Sequence, residues 1–461
     1  MANNCAVILA AGDGKRMKSE KPKVLCEVLF RPMLGWVLEA CRAAGTDDIC
    51  VVTGKGADQV EAYLGGSCQT VRQEERLGTG HALMQAETFI RTHAGGHLLV
   101  LSGDAPFVDA ETIHEAYNLH IEQRNAVTVI TAEVGQPKGY GRMLREGERI
   151  VGIVEEKDAT EEQKQIREIN SGAYWFRIDD MLAVAGGLTN DNSQREYYLT
   201  QLVPLLLAAG KKAGGYRADS EDVVLGANDR AGLLTLNRIA AERVIEKHLA
   251  NGVEFLSTDG VLIMPEVEIG PETTILPGTI LKGKTVIGKG STIGPNSLVE
   301  NSTIGDDTVF NASQCYQSVI HDHVKIGPFC HIRPNSKVMD HVKIGDFVEV
   351  KNSTIGEYTA VSHLTYVGDS DVGKNVNFGC GVVTVNYDGV NKHRCVIEDN
   401  AFIGCNTNLV APVHIGNSAY TGAGSTITKD VPADALGIAR ARQSNLEGFA
   451  AKKLEGRKRK L

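Results

Sequence analysis

The sequence predicts two folds in tandem, an α/β domain on a mixed, mainly parallel sheet followed by a parallel β-helix, with one helix joining them. Three observations carry this. Through residues 1–228 short apolar runs alternate with helical patterns; residues 229–251 hold an uninterrupted helical pattern; and within 252–461 aliphatic residues recur every six positions.

In the first part "AVILA", "DDICVVTG", "LLVLSGD" and "AVTVITAEV" read as buried strands, and "MLGWVLEACRAAG" has helical spacing. Buried strands alternating with helices predict a sheet covered on both faces. In the second part Leu233, Leu236, Ile239, Ala240, Val244 and Leu249 recur at short helical intervals before Gly252 ends the pattern, which predicts a connecting helix. The third part shows its period in Ile326, Ile332, Val338, Ile344 and Val350, in Ile287, Ile293 and Val299, and in Ile355, Val361 and Val367. Glycine often follows, as at Gly288, Gly294, Gly327, Gly345, Gly356 and Gly368. A period of six fits neither a helix nor a flat strand; it fits a chain wound into a triangular coil with one aliphatic side chain inward per side. A β-sandwich does not explain it. The five-residue step from Val350 to Ile355 is either a shortened corner or a slip in register.

Lys and Arg number 48 against 57 Asp and Glu, a net charge of -9, which excludes a global positive field for nucleic acid. No apolar run reaches the roughly 18 residues of a membrane helix, and "MANNCAVILAAG" lacks a signal-peptide pattern, so a cytoplasmic protein without membrane contact is expected. The ten cysteines show no CxxC and no ligand spacing with histidine, so reduced thiols are the expectation.

Chemistry gathers first at "VILAAGDGKRMKSEKPKVL", residues 7–25, where a strand runs into Gly12 and Gly14 and five cations follow: Lys15, Arg16, Lys18, Lys21 and Lys23. Glycines let backbone N–H groups approach a ligand, and cations then neutralise it, which suits phosphate. A solvated surface loop is the other reading. The spacing is not that of a Walker loop, and Met17 stands where a GxGxxG motif needs its third glycine.

"LAAGDGKRM" and "KPKVL" resemble the signature of sugar-1-phosphate nucleotidyltransferases, and "RLGTGHA" (76–82), "SGDAPF" (102–107), "GYGR" (139–142), "IVEEKDA" (153–159) and "EINSG" (168–172) follow in that family's order. With the six-residue repeat, nearly the whole chain resembles the bacterial bifunctional N-acetylglucosamine-1-phosphate uridyltransferase/glucosamine-1-phosphate acetyltransferases. The resemblance implies a Rossmann-like nucleotidyltransferase domain, a left-handed β-helix of hexapeptide repeats and a homotrimer. It also implies Mg2+, the substrates UTP and acetyl-CoA, and the sugar phosphates glucosamine-1-phosphate and N-acetylglucosamine-1-phosphate.

Residue by residue, the resemblance places Leu9, Ala10, Ala11, Gly12, Gly14, Lys23, Gln73, Gly78 and Thr79 at the nucleotide, with Arg16 and Lys23 on the reacting phosphates. Ser102, Gly103, Asp104, Gly141, Glu155, Asn170 and Asn228 fall at the sugar, with Asp104 and Asn228 as the metal pair. Taken alone, Asp104 also reads as a helix N-cap before Ala105-Pro106, and Glu155 as a surface carboxylate beside Lys157. In the second half His363 in "HLTY" matches the base that deprotonates the amine. A structural histidine is the other reading. Arg333, Lys351, Tyr366 and Asn377 match the sugar-phosphate site, with Glu349 orienting it; Cys380, Asn386, Tyr387, Cys405, Ala423 and Arg440 match the coenzyme site, Asn386 also fitting a sugar contact. The chain departs from the family at Lys15 and Ser102, often threonine and tyrosine, and at Cys380 and Cys405, commonly alanine and serine. The basic run "KKLEGRKRKL" either meets the coenzyme's phosphates or is a solvated end. A nucleotidyltransferase with a merely regulatory β-helix, a non-catalytic nucleotide-sugar sensor, and a trimerisation stalk are the alternatives.

Overall fold

The computed structural model describes residues 3–454, the side chain of Lys15 excepted, so most of the basic run at 452–461 lies outside the described residues. The chain forms two compact units, Met1–Ala240 and Ala241–Leu461, the division falling inside the helix Arg230–Ala250.

In the first unit seven strands lie in the order Ala213–Arg217, Val127–Glu133, Glu168–Arg177, His97–Ser102, Cys5–Ala10, Ile49–Thr53 and Gln69–Arg72. All four apolar runs become strands of this sheet, and the helix Met33–Ala43 stands where its periodicity indicated. Six of the seven run parallel; Glu168–Arg177, in the middle, is antiparallel to both neighbours. The alternation of strand side chains splits the core into two layers. Ile8, Leu99, Leu101 and Trp175 lie on one face, and Val7, Val100, Tyr174 and Phe176 on the other. Trp175 Nε1 donates to the carbonyl of Ile113 (3.0 Å), so its one polar atom is satisfied in the interior. The strands ending at Ala10, Thr53 and Ser102 finish along one edge, where open α/β sheets bind ligands.

Along the connecting helix Leu236, Ala240 and Val244 are buried. Leu249 is exposed, so the apolar stripe stops a turn earlier than its spacing suggested.

The second unit is a parallel β-helix of three sheets, with eleven, ten and nine short strands. One inward ladder runs through Ile275, Ile293, Phe310, Ile326, Ile344, Val361, Phe378 and Ile403, all buried. Eighteen residues separate Ile275 from Ile293, but sixteen separate Phe310 from Ile326 and twenty-five separate Phe378 from Ile403. Turns therefore vary in length while the paired register holds. The five-residue step is a shortened corner, since Val338 pairs with Ile355 as regularly as Ile332 does with Val350. Corners take left-handed φ angles, often at asparagine, as at Asn296 (50°), Asn335 (63°), Asn352 (47°) and Asn406 (55°). Buried hydroxyls tie corners to the backbone, as when Thr285 Oγ1 donates to the Lys282 carbonyl (2.7 Å).

All ten cysteines are free. Burial pushes the thiols of Cys5, Cys41, Cys50 and Cys315 up to about 12, so these four are inert at neutral pH.

Two candidate active sites

In the first unit the glycine turn and Lys23 are built against each other. Gly14 has φ +57°, and a Cβ there would lie 2.9 Å from the Lys23 Cβ, so glycine lets the turn rest on the lysine stem. A Cβ at Gly12 would meet nothing within 4 Å, leaving its backbone open. Lys23 Nζ donates to Asn228 Oδ1 (2.9 Å) and ion-pairs with the Asp104 carboxylate. Two hard oxygen donors thus converge on one cation. This donor set fits Mg2+ completed by phosphate and water; no cluster of three or more His, Cys, Asp or Glu side chains offers an alternative among the described residues. Asp104 is not a cap, because the following helix, Ala110–Glu122, is capped by Asp109, which accepts from Thr112 N (2.8 Å).

These groups line a cleft of about 820 Å³ whose walls also include Leu9, Ala11, Gly12, Arg16, Gln73, Gly78, Thr79 and Ser102. Ala10 points away, into the core, and can serve a ligand only through its backbone. Gly103 N donates to the Leu9 carbonyl (2.9 Å), tying the ends of two strands together beneath the cleft. Thr79 Oγ1 accepts from Leu199 N (3.0 Å).

Gly141, Glu155 and Asn170 form a neighbouring cluster. Asn170 N donates to the Gly141 carbonyl (2.9 Å), and a Cβ at Gly141 would lie 3.5 Å from the Glu155 carboxylate. Gly172, with φ +82°, links cluster and cleft: its N donates to Asn170 Oδ1 (3.0 Å), and its missing Cβ would stand 3.0 Å from Ser102 Oγ. Glu155 is not a surface carboxylate beside Lys157, which donates to Gln194. It accepts from Thr200 Oγ1 (3.0 Å); burial, with the charges of Asp158 and Glu196, pushes its carboxyl above the usual range despite that bond.

In the second unit the ladder does the gathering. Asp346 pairs with His363, and the rung register through Val361, Phe378, Ile403 and Thr421 carries His363, Cys380, Cys405 and Ala423 into one column at a corner. Gly381 N donates to the His363 carbonyl (3.4 Å), Asn406 N to that of Cys380 (2.7 Å) and Gly424 N to that of Cys405 (2.8 Å). Arg440 joins the far end, its Cδ 4.0 Å from where a Gly424 Cβ would be. The His363 ring is exposed and makes no hydrogen bond among the described residues. Cys405 is exposed and Cys380 half-buried.

Around the corner at Leu364, the ten-stranded sheet carries Arg333, Lys351 and Tyr366 on successive rungs. Arg333 pairs with Glu349 (2.7 Å) and Lys351 with Asp369 (3.6 Å). Burial pushes the Asp369 carboxyl up, but hydrogen bonds from Asn352 and Asn386 and the Lys351 charge outweigh it and hold the group below the usual range. Asn386 Nδ2 also lies 3.4 Å from the Tyr366 hydroxyl. Asn377 sits on the eleven-stranded sheet beside the column, between Ala360 and Phe402. Tyr387 opens the loop that interrupts the rungs, its hydroxyl donating to the Gly389 carbonyl (2.6 Å). Asp388 accepts from Val390 N, Asn391 N and His393; these bonds hold its carboxyl down at about 2.

Sequence reasoning left out Asp13 and Arg76, an ion pair on the cleft wall, as well as Glu196, Thr200 and Asp369. Asp13 and Arg76 lie inside the quoted stretches "LAAGDGKRM" and "RLGTGHA", but nothing in them marks the two as partners; Glu196, Thr200 and Asp369 lie outside the quoted motifs, and long-range contacts bring them in.

Residues 5–223 match the nucleotidyl transferase family model, and 266–301, 317–352 and 394–429 match the bacterial transferase hexapeptide model of six repeats. Fold and match together define a nucleotidyl transferase unit followed by a left-handed hexapeptide β-helix. The chain is 49% identical over 451 residues to the bifunctional protein GlmU of Caldanaerobacter subterraneus subsp. tengcongensis, covering 98% of both. It is 47% identical to that of Acetivibrio thermocellus, covering 97% of both, and 46% identical to that of Halalkalibacterium halodurans, covering 98% of this chain and 100% of the relative. The chain belongs to the family of bifunctional GlmU proteins.

Proposed function

We propose that the chain carries out two successive reactions on one aminosugar phosphate. The second unit transfers acetyl from acetyl-CoA to glucosamine-1-phosphate. The first unit then joins N-acetylglucosamine-1-phosphate to UTP, giving UDP-N-acetylglucosamine, a precursor for cell-envelope synthesis, and pyrophosphate. The observation that carries the reading is the end-to-end relationship to bifunctional proteins, each half of which falls on a unit with its own cluster of polar and charged groups.

In the first unit a sugar-phosphate oxygen attacks the α-phosphorus of UTP and pyrophosphate leaves, a reaction governed by positioning and charge. The backbones of Gly12 and Gly14 cradle the phosphates, while Lys23 and Arg16 neutralise the charge that builds on them. Gln73, Gly78 and Thr79 receive the base; Gly141, Glu155 and Asn170 receive the sugar. Asp104 and Asn228 would hold Mg2+, which supplies further neutralisation of the triphosphate. In the second unit His363 accepts a proton from the amine as it attacks the thioester, and CoA leaves as the thiol. Arg333 and Lys351 hold the phosphate as a fork and a point charge. Tyr366, Asn377 and Asn386 position the sugar, and Cys380, Tyr387, Cys405, Ala423 and Arg440 position the coenzyme. A cytoplasmic homotrimer is the form we propose.

The test supplies the substrates separately. Thiol release from acetyl-CoA with glucosamine-1-phosphate, and pyrophosphate release from UTP with N-acetylglucosamine-1-phosphate, are both expected. Loss of the first alone would leave a nucleotidyltransferase with a regulatory β-helix; loss of both would leave a sensor.

A further inference from the structure

Gln73 follows the edge strand Gln69–Arg72, its backbone N held by the Thr53 carbonyl (2.8 Å), and only 5% of the residue is exposed. Its side-chain nitrogen has two partners. Nε2 donates to the Gly78 carbonyl (3.1 Å) and lies 2.9 Å from His81 Nδ1. A carbonyl only accepts, so the amide nitrogen must face it, and the second N–H is left for the imidazole. The ring's other contact, to Gln85 Nε2, is longer at 3.2 Å, and that amide is anchored on the His81 carbonyl (3.1 Å) whichever ring nitrogen accepts. A neutral imidazole has one acceptor nitrogen, and the shorter contact assigns it to Nδ1. Gln73 lines the cleft, and its amide oxygen makes no hydrogen bond among the described residues, so this atom is what the cleft presents.

We infer that His81 is a positioning residue for choice of the nucleobase: by accepting from Gln73 Nε2 opposite the Gly78 carbonyl, it keeps the amide oxygen turned into the cleft. A pyrimidine with a proton on N3, as in uracil, can donate to that oxygen. Cytosine, whose N3 is an acceptor, meets it with a second acceptor and is refused. Without the imidazole only one of the two amide hydrogens is held, and the amide turns more freely. This rests on the reading that the first unit takes UTP.

The experiment compares kcat/KM for pyrophosphate release from UTP and from CTP, each with N-acetylglucosamine-1-phosphate, in the full chain. Because the ratio is taken on one sample, loss of folded protein cancels. His81→Phe, which keeps a ring but no acceptor, is expected to lower the UTP/CTP ratio by about tenfold, the worth of one buried hydrogen bond. Gln73→Leu is expected to lose the preference, and adding His81→Phe to it should change the ratio no further. His81→Asn places an amide oxygen where Nδ1 stands and should keep the ratio within about threefold of the wild type; it also carries the test if the Phe variant does not fold. A wild-type ratio in His81→Phe, or a lost ratio in His81→Asn, overturns the inference. A wild type that releases pyrophosphate from neither nucleotide, or from both alike, overturns the functional reading and the inference with it.

Discussion

The two units assemble their sites by different routes. In the first, Lys23, Asp104 and Asn228 come from distant parts of the chain and meet because strands and turns end along one edge of a sheet. In the second, His363, Cys380, Cys405 and Ala423 meet because each is the next turn's equivalent of the one before. The first arrangement depends on many unlike contacts, so each residue has its own role. The second depends on one contact repeated, so position along the chain translates almost directly into position in space.

The sharpest way to break this comparison is a pair of substitutions. Asp104→Ala should lower pyrophosphate release by about 10² to 10³ while thiol release from acetyl-CoA is unchanged. His363→Ala should lower acetyl transfer by about 10² to 10⁴ and leave uridylylation of supplied N-acetylglucosamine-1-phosphate alone. An effect of either on the other reaction would mean that the two sites do not act independently. Next in size is Ile344→Ala. It leaves a gap in the inward ladder and should cost the second unit about 2 to 5 kcal/mol in denaturant titration, with acetyl transfer falling as the folded fraction falls.

Gly14→Ala is the counterpart in the first unit. Its left-handed φ and the Lys23 Cβ stand against a methyl group, a strain of roughly 1 to 2 kcal/mol. It should appear chiefly as a raised KM for UTP. Glu155→Gln sharpens the same side. A carboxyl held above its unfolded value binds its proton more tightly in the folded chain. Its contribution is therefore full below the ordinary carboxylate pKa and lost as pH rises through the raised value. The amide should raise the melting temperature by a few degrees at pH 7, with no gain near pH 3, while uridylyl transfer falls. Smallest is Cys405→Ser, expected to lower the KM for acetyl-CoA about two- to threefold through a better hydrogen-bonding group.

What was legible in the sequence follows the same division. The β-helix could be read from spacing because its period is local: each aliphatic residue marks its own rung, and even the short corner after Val350 kept register. Four strands of the first unit were legible as apolar runs; Gln69–Arg72 and Ala213–Arg217 were not, nor was the antiparallel run of Glu168–Arg177 between parallel strands. Strand direction is a long-range property that burial alone does not encode. Lys23 could be read as a cation near phosphate. That it also bridges Asp104 and Asn228 could not, since the partners lie far apart in the chain. Thr200 beneath Glu155 was hidden for the same reason, and His81, although it stands inside "RLGTGHA", shows its partner Gln73 only in the folded chain.

The last rung pairing of the eleven-stranded sheet sets Tyr420–Thr421 against Leu436–Gly437, after which few partners remain. A stack held only by nearest neighbours loosens from its free end inward. Ala423 and Arg440 stand close to that end, whereas His363 lies four rung pairings in from it. Warming should therefore blunt the grip on the thioester donor before it disturbs the base, so saturation would fail while intrinsic turnover persisted.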